Sequence, residues 1–407
     1  MLVVTYGGGH ANMAIPTILR MRERGLDVTA LGATTAGPQL RAAGIAATGY
    51  RDLLRDDDGS ALAVGRELLG DSHDPSTGIS VEESTAYLGL SYQDLVDRLG
   101  PDEAKRRYDR YGRHAFLQLG PMRRAIERYR PSVVLTTNSP KSERAALVVA
   151  GELGIPTIAI EDCLGIRQKI FPEHVPTFTA SSVCVLSQIA TPYLVAQGTA
   201  ASSVRLTGNP AFDALAAIEP DARTRTRDAL GIAVSAPLVL FTGQAYTRLE
   251  RLAPLIAAIR SAVPQSRVAV RRHPSRRTPE SARLLGALPN VIVTETQPIS
   301  DLLVASDVLL TISSTTAIES ILLGRPVVQL GPELGLTDER NEHADDLPLY
   351  RHGAAELARS IDEVTQAVAR ALDPAARDAL LRRAQPLFVA PGTAALAIAD
   401  LAASLSG

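Results

Sequence analysis

"ASDVLLTISSTTAIESILLGRPVVQLG", residues 305–331, holds an apolar run, four hydroxyls at Ser313, Ser314, Thr315 and Thr316, a helix-patterned segment and a second apolar run. Two Val/Leu runs (307–313 and 325–331) joined by a helix read as one βαβ unit of a parallel sheet. Strands covered on both faces are apolar throughout instead of alternating. A strand that merely turns into a helix needs one capping oxygen at the first turn. The other hydroxyls are surplus to that need, so the helix start is expected to receive a negatively charged ligand.

The same unit recurs along the chain. Strand-like runs at 1–6, 26–32, 44–50, 132–138, 155–162, 181–187 and 203–210 alternate with helical segments, and a second set follows at 236–243, 266–274, 290–295, 307–313 and 325–331. This rhythm gives an α/β fold of two doubly wound, Rossmann-like domains expected to face each other across a cleft. Residues 1–215 form the first domain, with a charged, helix-rich insertion at about 51–128. The polar stretch 216–235 reads as a linker, 236–390 as the second domain, and 391–407 as a helix packing back on the first. A chain of 407 residues is long enough for two cores.

Composition narrows the function. Aromatics are 4% and Trp is absent, which suits aliphatic parallel strands. Net charge is -2 and the 42 Lys+Arg are spread along the chain, which speaks against a nucleic-acid footprint. Two cysteines, Cys163 and Cys184, no leader-like start and no long apolar run point to a reduced, cytoplasmic setting, with loose contact to a membrane surface left open. No metal or cofactor is expected: "RDDDGS" (55–60) does not follow an apolar strand, and the cysteines lack ligand spacing. Phosphate-loop and G-x-S-x-G motifs are missing too.

Ligands in doubly wound sheets bind outside the carboxyl ends of the strands, so the residues just after each run carry the function. In the first domain these include Gly8, Gly9 and His10 of "GGGH", Asn138 of "TNSPKS", and Glu161 and Asp162 of "EDCLG". "GGGH" is not a dinucleotide fingerprint, because the G-x-G-x-x-G spacing and an acid after the second strand are lacking. Gly8, Gly9 and Asn138 are assigned to the acceptor side. His10 is either a helix-capping turn residue or a base for an acceptor hydroxyl. In the second domain the corresponding residues are Gly243, then Arg271, Arg272 and His273 of "RRHPS", Glu295, and Ser313, Ser314, Thr315 and Glu319. A histidine, a cation and the hydroxyl row, expected on neighbouring strands, make an anion pocket, with Glu295 and Glu319 available to ribose hydroxyls.

The order of "GGGH", "TGNPAFD" (207–213), "HP" (273–274) and the 305–331 stretch resembles the two-Rossmann glycosyltransferases of the GT-B type over nearly the whole chain except 51–128. The "HP" and "SS" pair is similar to bacterial sialyltransferases and capsule Kdo transferases, which spend a CMP-activated sugar. That resemblance implies that His273, Ser313 and Ser314 hold the nucleotide phosphate, and that a carboxylate of an acidic pair followed by Gly is the base. Here Cys163 and Leu164 separate Glu161 and Asp162 from Gly165. The expected activity is metal-independent transfer from a nucleotide sugar, CMP-ulosonate first and UDP-sugar second, to a glycan or small-molecule acceptor. Asp162, Glu161 or His10 serves as base, with Asp162 preferred. "TGNPAFD" and "EDCLG" also resemble hydrolysing UDP-GlcNAc 2-epimerases, and the His and Ser positions resemble CDP-polyol phosphotransferases. A catalytically inactive nucleotide-binding scaffold is the non-enzymatic alternative.

Overall fold

The computed structural model describes residues 1–162, 164, 180–244, 246–273, 277–337 and 347–406. Cys163, Gly165 and Pro274 lie outside the described residues. The chain divides into two compact units, Met1–Asp213 with Gly392–Gly407, and Ala214–Pro391.

The first unit is built on β1 (Leu2–Thr5), β2 (Thr29–Gly32), β3 (Ala47–Thr48), β4 (Val134–Thr136), β5 (Thr157–Glu161), β6 (Ser182–Val185) and β7 (Val204–Leu206). These pair in parallel in the order β3-β2-β1-β4-β5-β6-β7. Side chains alternate across the sheet, so Leu2 and Val4 of β1 enter one core while Val3 enters the other. On the Leu2/Val4 face lie the helices of the 51–128 region, which contribute Tyr87, Leu88, Phe116 and Met122 to that core. Two of them, Gly59–Leu69 and Val81–Leu99, touch backbone to backbone. A Cβ at Gly65 would meet the Thr85 carbonyl at 2.2 Å, and one at Gly89 would meet the Ala61 carbonyl at 2.2 Å. Only glycine permits that approach.

The Val3 face is covered by the helix Gly9–Glu23 and by the last helix, Ala394–Ser406, whose Ile398, Ala399 and Ala402 pack with Val3, Leu135 and Ile158. Asp213 of "TGNPAFD" caps that last helix, accepting from the amides of Gly392 (2.9 Å), Ala394 (3.0 Å) and Ala395 (2.8 Å).

In the second unit, β8 (Leu238–Thr242), β9 (Arg267–Arg271), β10 (Val291–Thr294), β11 (Val308–Thr311), β12 (Val327–Leu330) and β13 (Glu356–Ala358) form a parallel sheet in the order β10-β9-β8-β11-β12-β13. Residues 216–235 belong to this unit, and they carry the helix Ala222–Ala229. Arg227, only 1% exposed, reaches the carbonyls of Ala305 (2.6 Å), Ala233 (3.0 Å) and Ala236 and also pairs with Asp307 at 3.4 Å. Arg223 pairs with Asp307 at 2.5 Å, and the Leu238 amide donates to the same carboxylate at 2.8 Å. The segment is thereby fastened to the start of β8.

Candidate functional site

Each sheet reverses its strand order once, between β1 and β4 in the first unit and between β8 and β11 in the second. At such a reversal the loops diverge and leave a crevice at the strand ends, where ligands of this architecture sit. Both reversal points carry polar constellations.

In the first unit, β1 runs into Gly7, Gly8, Gly9 and His10. Gly7 has φ 134°, and a Cβ there would strike Thr35 Oγ1 at 2.3 Å. Gly8 has φ 58° with no atom within 4 Å of a would-be Cβ, and Gly9 is equally open. A ligand can therefore approach the backbone here. His10 does not cap its helix: the N-cap is Gly8, and no side chain bonds the first turn. Instead His10 Nδ1 lies 2.8 Å from Thr137 Oγ1, at the end of the adjacent β4. Thr137 donates its only hydroxyl proton to Glu143 Oε2 at 2.6 Å. Its oxygen must then accept from His10, so Nδ1 carries a proton, and in the neutral ring the lone pair falls on Nε2. Glu143 is fully buried and also accepts from the amides of Tyr6 (2.7 Å) and Ser139 (2.5 Å). Its Oε2 is 3.7 Å from His10 Nδ1, close enough to stabilise an imidazolium. The His10 side chain remains 27% exposed.

Glu161 ends β5, one strand further from the reversal, and Asp162 follows it. Glu161 is buried at 2% exposure, and Asp162 Oδ1 accepts from Asn138 Nδ2. Asn138 thus ties the β4 loop to the β5 end. Sequence reasoning missed Thr137 and Glu143. Thr137 stands inside the quoted "TNSPKS", while Glu143 looks like an ordinary acidic residue in a first helical turn.

In the second unit, the expectation that His273 and Ser313 come from neighbouring strands needs correcting. They follow β9 and β11, and β8 lies between those strands, a span of about 10 Å. The loop after β8 bridges the gap. Gly243 N donates to Arg271 O at 2.9 Å, and Gln244 Nε2 donates to Ser313 Oγ at 2.9 Å. A Cβ at Gly243 would meet its neighbours at an ordinary 3.6 Å, so the glycine is not forced there. Ser314 is the one capping hydroxyl, accepting from the Thr316 amide at 3.3 Å, and Thr316 Oγ1 lies 3.0 Å from Thr242 Oγ1. Thr315 is exposed. The helix that follows, Thr316–Leu322, has seven residues, so the side chains outweigh its dipole.

Arg272 and Glu295 are committed to one another. They form an ion pair, with Arg272 also bonding Thr278 O (2.9 Å) and Ser281 Oγ. A guanidinium 4% exposed and already paired has little left to offer a phosphate. Arg271 has a buried Nη1 with no hydrogen-bond partner among the described residues, and Gln244 Oε1 is an orphaned acceptor of the same kind. Burial, helped by the nearby Arg277 charge, lowers the pKa values of Arg271 and His273. Among the described residues no cluster of three metal-ligating side chains occurs, and no helix is long and apolar enough to cross a membrane.

Burial raises the Glu319 carboxyl from the ordinary 4.5 to about 7. Its neutral form therefore favours the folded state. That contribution is complete below pH 4.5 and is lost as the pH rises through 7. At ~1.4 kcal/mol per pH unit the loss amounts to ~3 kcal/mol. Glu319→Gln should therefore unfold at higher denaturant than wild type at pH 8 and match it at pH 4.5. Parallel urea curves at both pH values would reject the assignment.

No protein-family model matches this chain, and no curated protein matches it in sequence. Solved structures do match in shape. UDP-GlcNAc 2-epimerase from Neisseria meningitidis bound to UDP-GlcNAc is 16% identical over 99% of both chains, with a TM-score of 0.62. CalG4, the calicheamicin glycosyltransferase, is 15% identical over 99% of this chain and 97% of its own, at 0.59. The kitacinnamycin glycotransferase is 17% identical over 100% and 98%, at 0.58. The fold is of the GT-B type. These neighbours are a UDP-GlcNAc 2-epimerase and two glycosyltransferases.

Proposed function

We propose that the protein is a metal-independent glycosyltransferase that moves a sugar from a nucleotide-diphosphate donor to a hydroxyl acceptor. The observation that carries this reading is the His10–Thr137–Glu143 chain at the β1/β4 reversal. It selects the tautomer of a part-exposed imidazole whose neutral form has its lone pair on Nε2, and it backs the ring with a buried carboxylate. In the reaction His10 Nε2 takes the acceptor hydroxyl proton as its oxygen bonds the anomeric carbon. The bond from that carbon to the donor phosphate breaks, and its electron pair leaves with the nucleotide. Arg271, His273 and Ser313 stabilise that leaving charge, while Glu319 accepts from the ribose. Orphaned polar atoms on Arg271 and Gln244 favour a polar ligand at the second reversal point.

UDP is the favoured nucleotide, since structural neighbours were solved with UDP-GlcNAc and with UDP. CMP, from the resemblance carried by His273, Ser313 and Ser314, is the competitor. A nucleotide at 100 times its dissociation constant adds ~2.7 kcal/mol of stability, so thermal shifts with UDP, CMP, CDP and GDP rank the four directly. UDP alone, or best, is the expected outcome; a CMP preference returns the donor to ulosonates, and silence from all four leaves no nucleotide site.

A second reading, hydrolysing epimerisation, is favoured by the full-length likeness to 2-epimerases. Incubation with UDP-GlcNAc and no acceptor separates the two: a 2-epimer product supports epimerisation, and acceptor-dependent UDP release supports transfer. Nucleotide binding without turnover on a panel of donors and acceptors would leave an inactive scaffold.

A further inference from the structure

Two residues before Glu143, the chain buries a lysine. Lys141 is 8% exposed. Its ammonium donates to Tyr6 OH at 3.0 Å and stands 4.6 Å from the centre of the Tyr6 ring. No carboxylate among the described residues pairs with it. Of its three N–H donors, the hydroxyl uses one. Burying an ammonium without a counter-charge is costly, and a methionine of similar length would fill the same space without that cost. The Tyr6 ring and hydroxyl offset part of that cost, and two N–H donors are left over.

The position of the lysine indicates a use for them. Tyr6 directly precedes the glycine loop that carries His10, and its amide is held by Glu143 Oε1 at 2.7 Å. Tyr6 OH also lies 3.5 Å from Tyr87 OH, so the phenol sits between the insertion helices and the β1 end. Tyr6 thus connects Lys141, and Thr137 connects His10, to one buried carboxylate.

We propose that the Lys141 ammonium, with the Tyr6 hydroxyl, receives a carboxylate of the acceptor and holds its hydroxyl at His10. A single uncommitted positive charge matches a monoanion better than a phosphate dianion. The proposal takes the idea of an acceptor from the transferase reading, but its test needs no turnover.

Three probes that share one ring are titrated calorimetrically: 4-hydroxybenzoate, 4-hydroxybenzyl alcohol and 4-hydroxyphenyl phosphate. The acid is expected to bind wild type at least about tenfold more tightly than the alcohol. Lys141→Met should erase that preference and leave the UDP thermal shift in place. Equal affinity for acid and alcohol in wild type, no binding of the acid at millimolar concentration, or a preference that survives K141M overturns the proposal. Tightest binding of the phosphate overturns the carboxylate assignment. The wild-type comparison stands even if the variant fails to fold. Acid selectivity without UDP release retires the transferase and keeps the site; UDP release without acid selectivity does the reverse.

Discussion

Replacing His10 with alanine lowers turnover by about 10³-fold and leaves nucleotide affinity and thermal stability close to wild type. The side chain caps nothing and is part-exposed, so its loss opens no core cavity. Glu143→Gln retains an oxygen for the Thr137 hydroxyl but removes the charge behind the imidazolium, and an intermediate loss of about 10- to 100-fold follows. Thr137→Val breaks the link that keeps the ring proton on Nδ1. Asp162→Asn is the control, since that carboxylate is engaged by Asn138 one strand away from the reversal. Steady-state rates for the four variants decide the base. If Asp162→Asn is dead and His10→Ala is active, the base belongs to "EDCLG" and the His10 chain is structural.

The reason this constellation was only half legible lies in strand order. Apolar runs such as "LVVT" and "VLLT", covered on both faces, announce a parallel sheet through composition alone, and strand ends can be marked from them. His10 and the Ser313 row were accessible in that way. Thr137 and His10 are 127 positions apart, with the 51–128 insertion between them. Only the pairing of β1 with β4 makes them neighbours. Similarly, "RR" after β9 shows that Arg271 and Arg272 point to opposite sides, but which one meets Glu295 depends on β10 lying beside β9. β13 was silent for another reason. "ELA" is built of helix formers, and it becomes a strand because β12 offers a free edge at Val328, Gln329 and Leu330.

Arg227→Ala costs the second unit ~1–3 kcal/mol, the largest stability loss expected from any polar residue in the 216–235 segment. "ARTRTRDA" reads as a solvated, flexible link, because three arginines in eight residues are normally exposed. The structure buries one of them. Truncation takes the donor from the Ala236 carbonyl and removes one of the two guanidiniums facing Asp307, while the Ala305 carbonyl keeps Arg223 at 2.9 Å and the Ala233 carbonyl keeps the Ala236 amide at 3.1 Å. The lost donor and the weakened charge pair act in the same direction. Arg225, in the same helix, pairs among the described residues with Asp221 at 3.4 Å, both side chains being more than half exposed. Its truncation should therefore stay within ~0.5 kcal/mol. Urea unfolding of the two variants, with UDP binding as the probe of the second unit, separates a fastened element from a tether. Equal midpoints for Arg227→Ala and Arg225→Ala would mean that the segment behaves as a linker, and that the buried guanidinium contributes nothing to holding β8 and β11 in register.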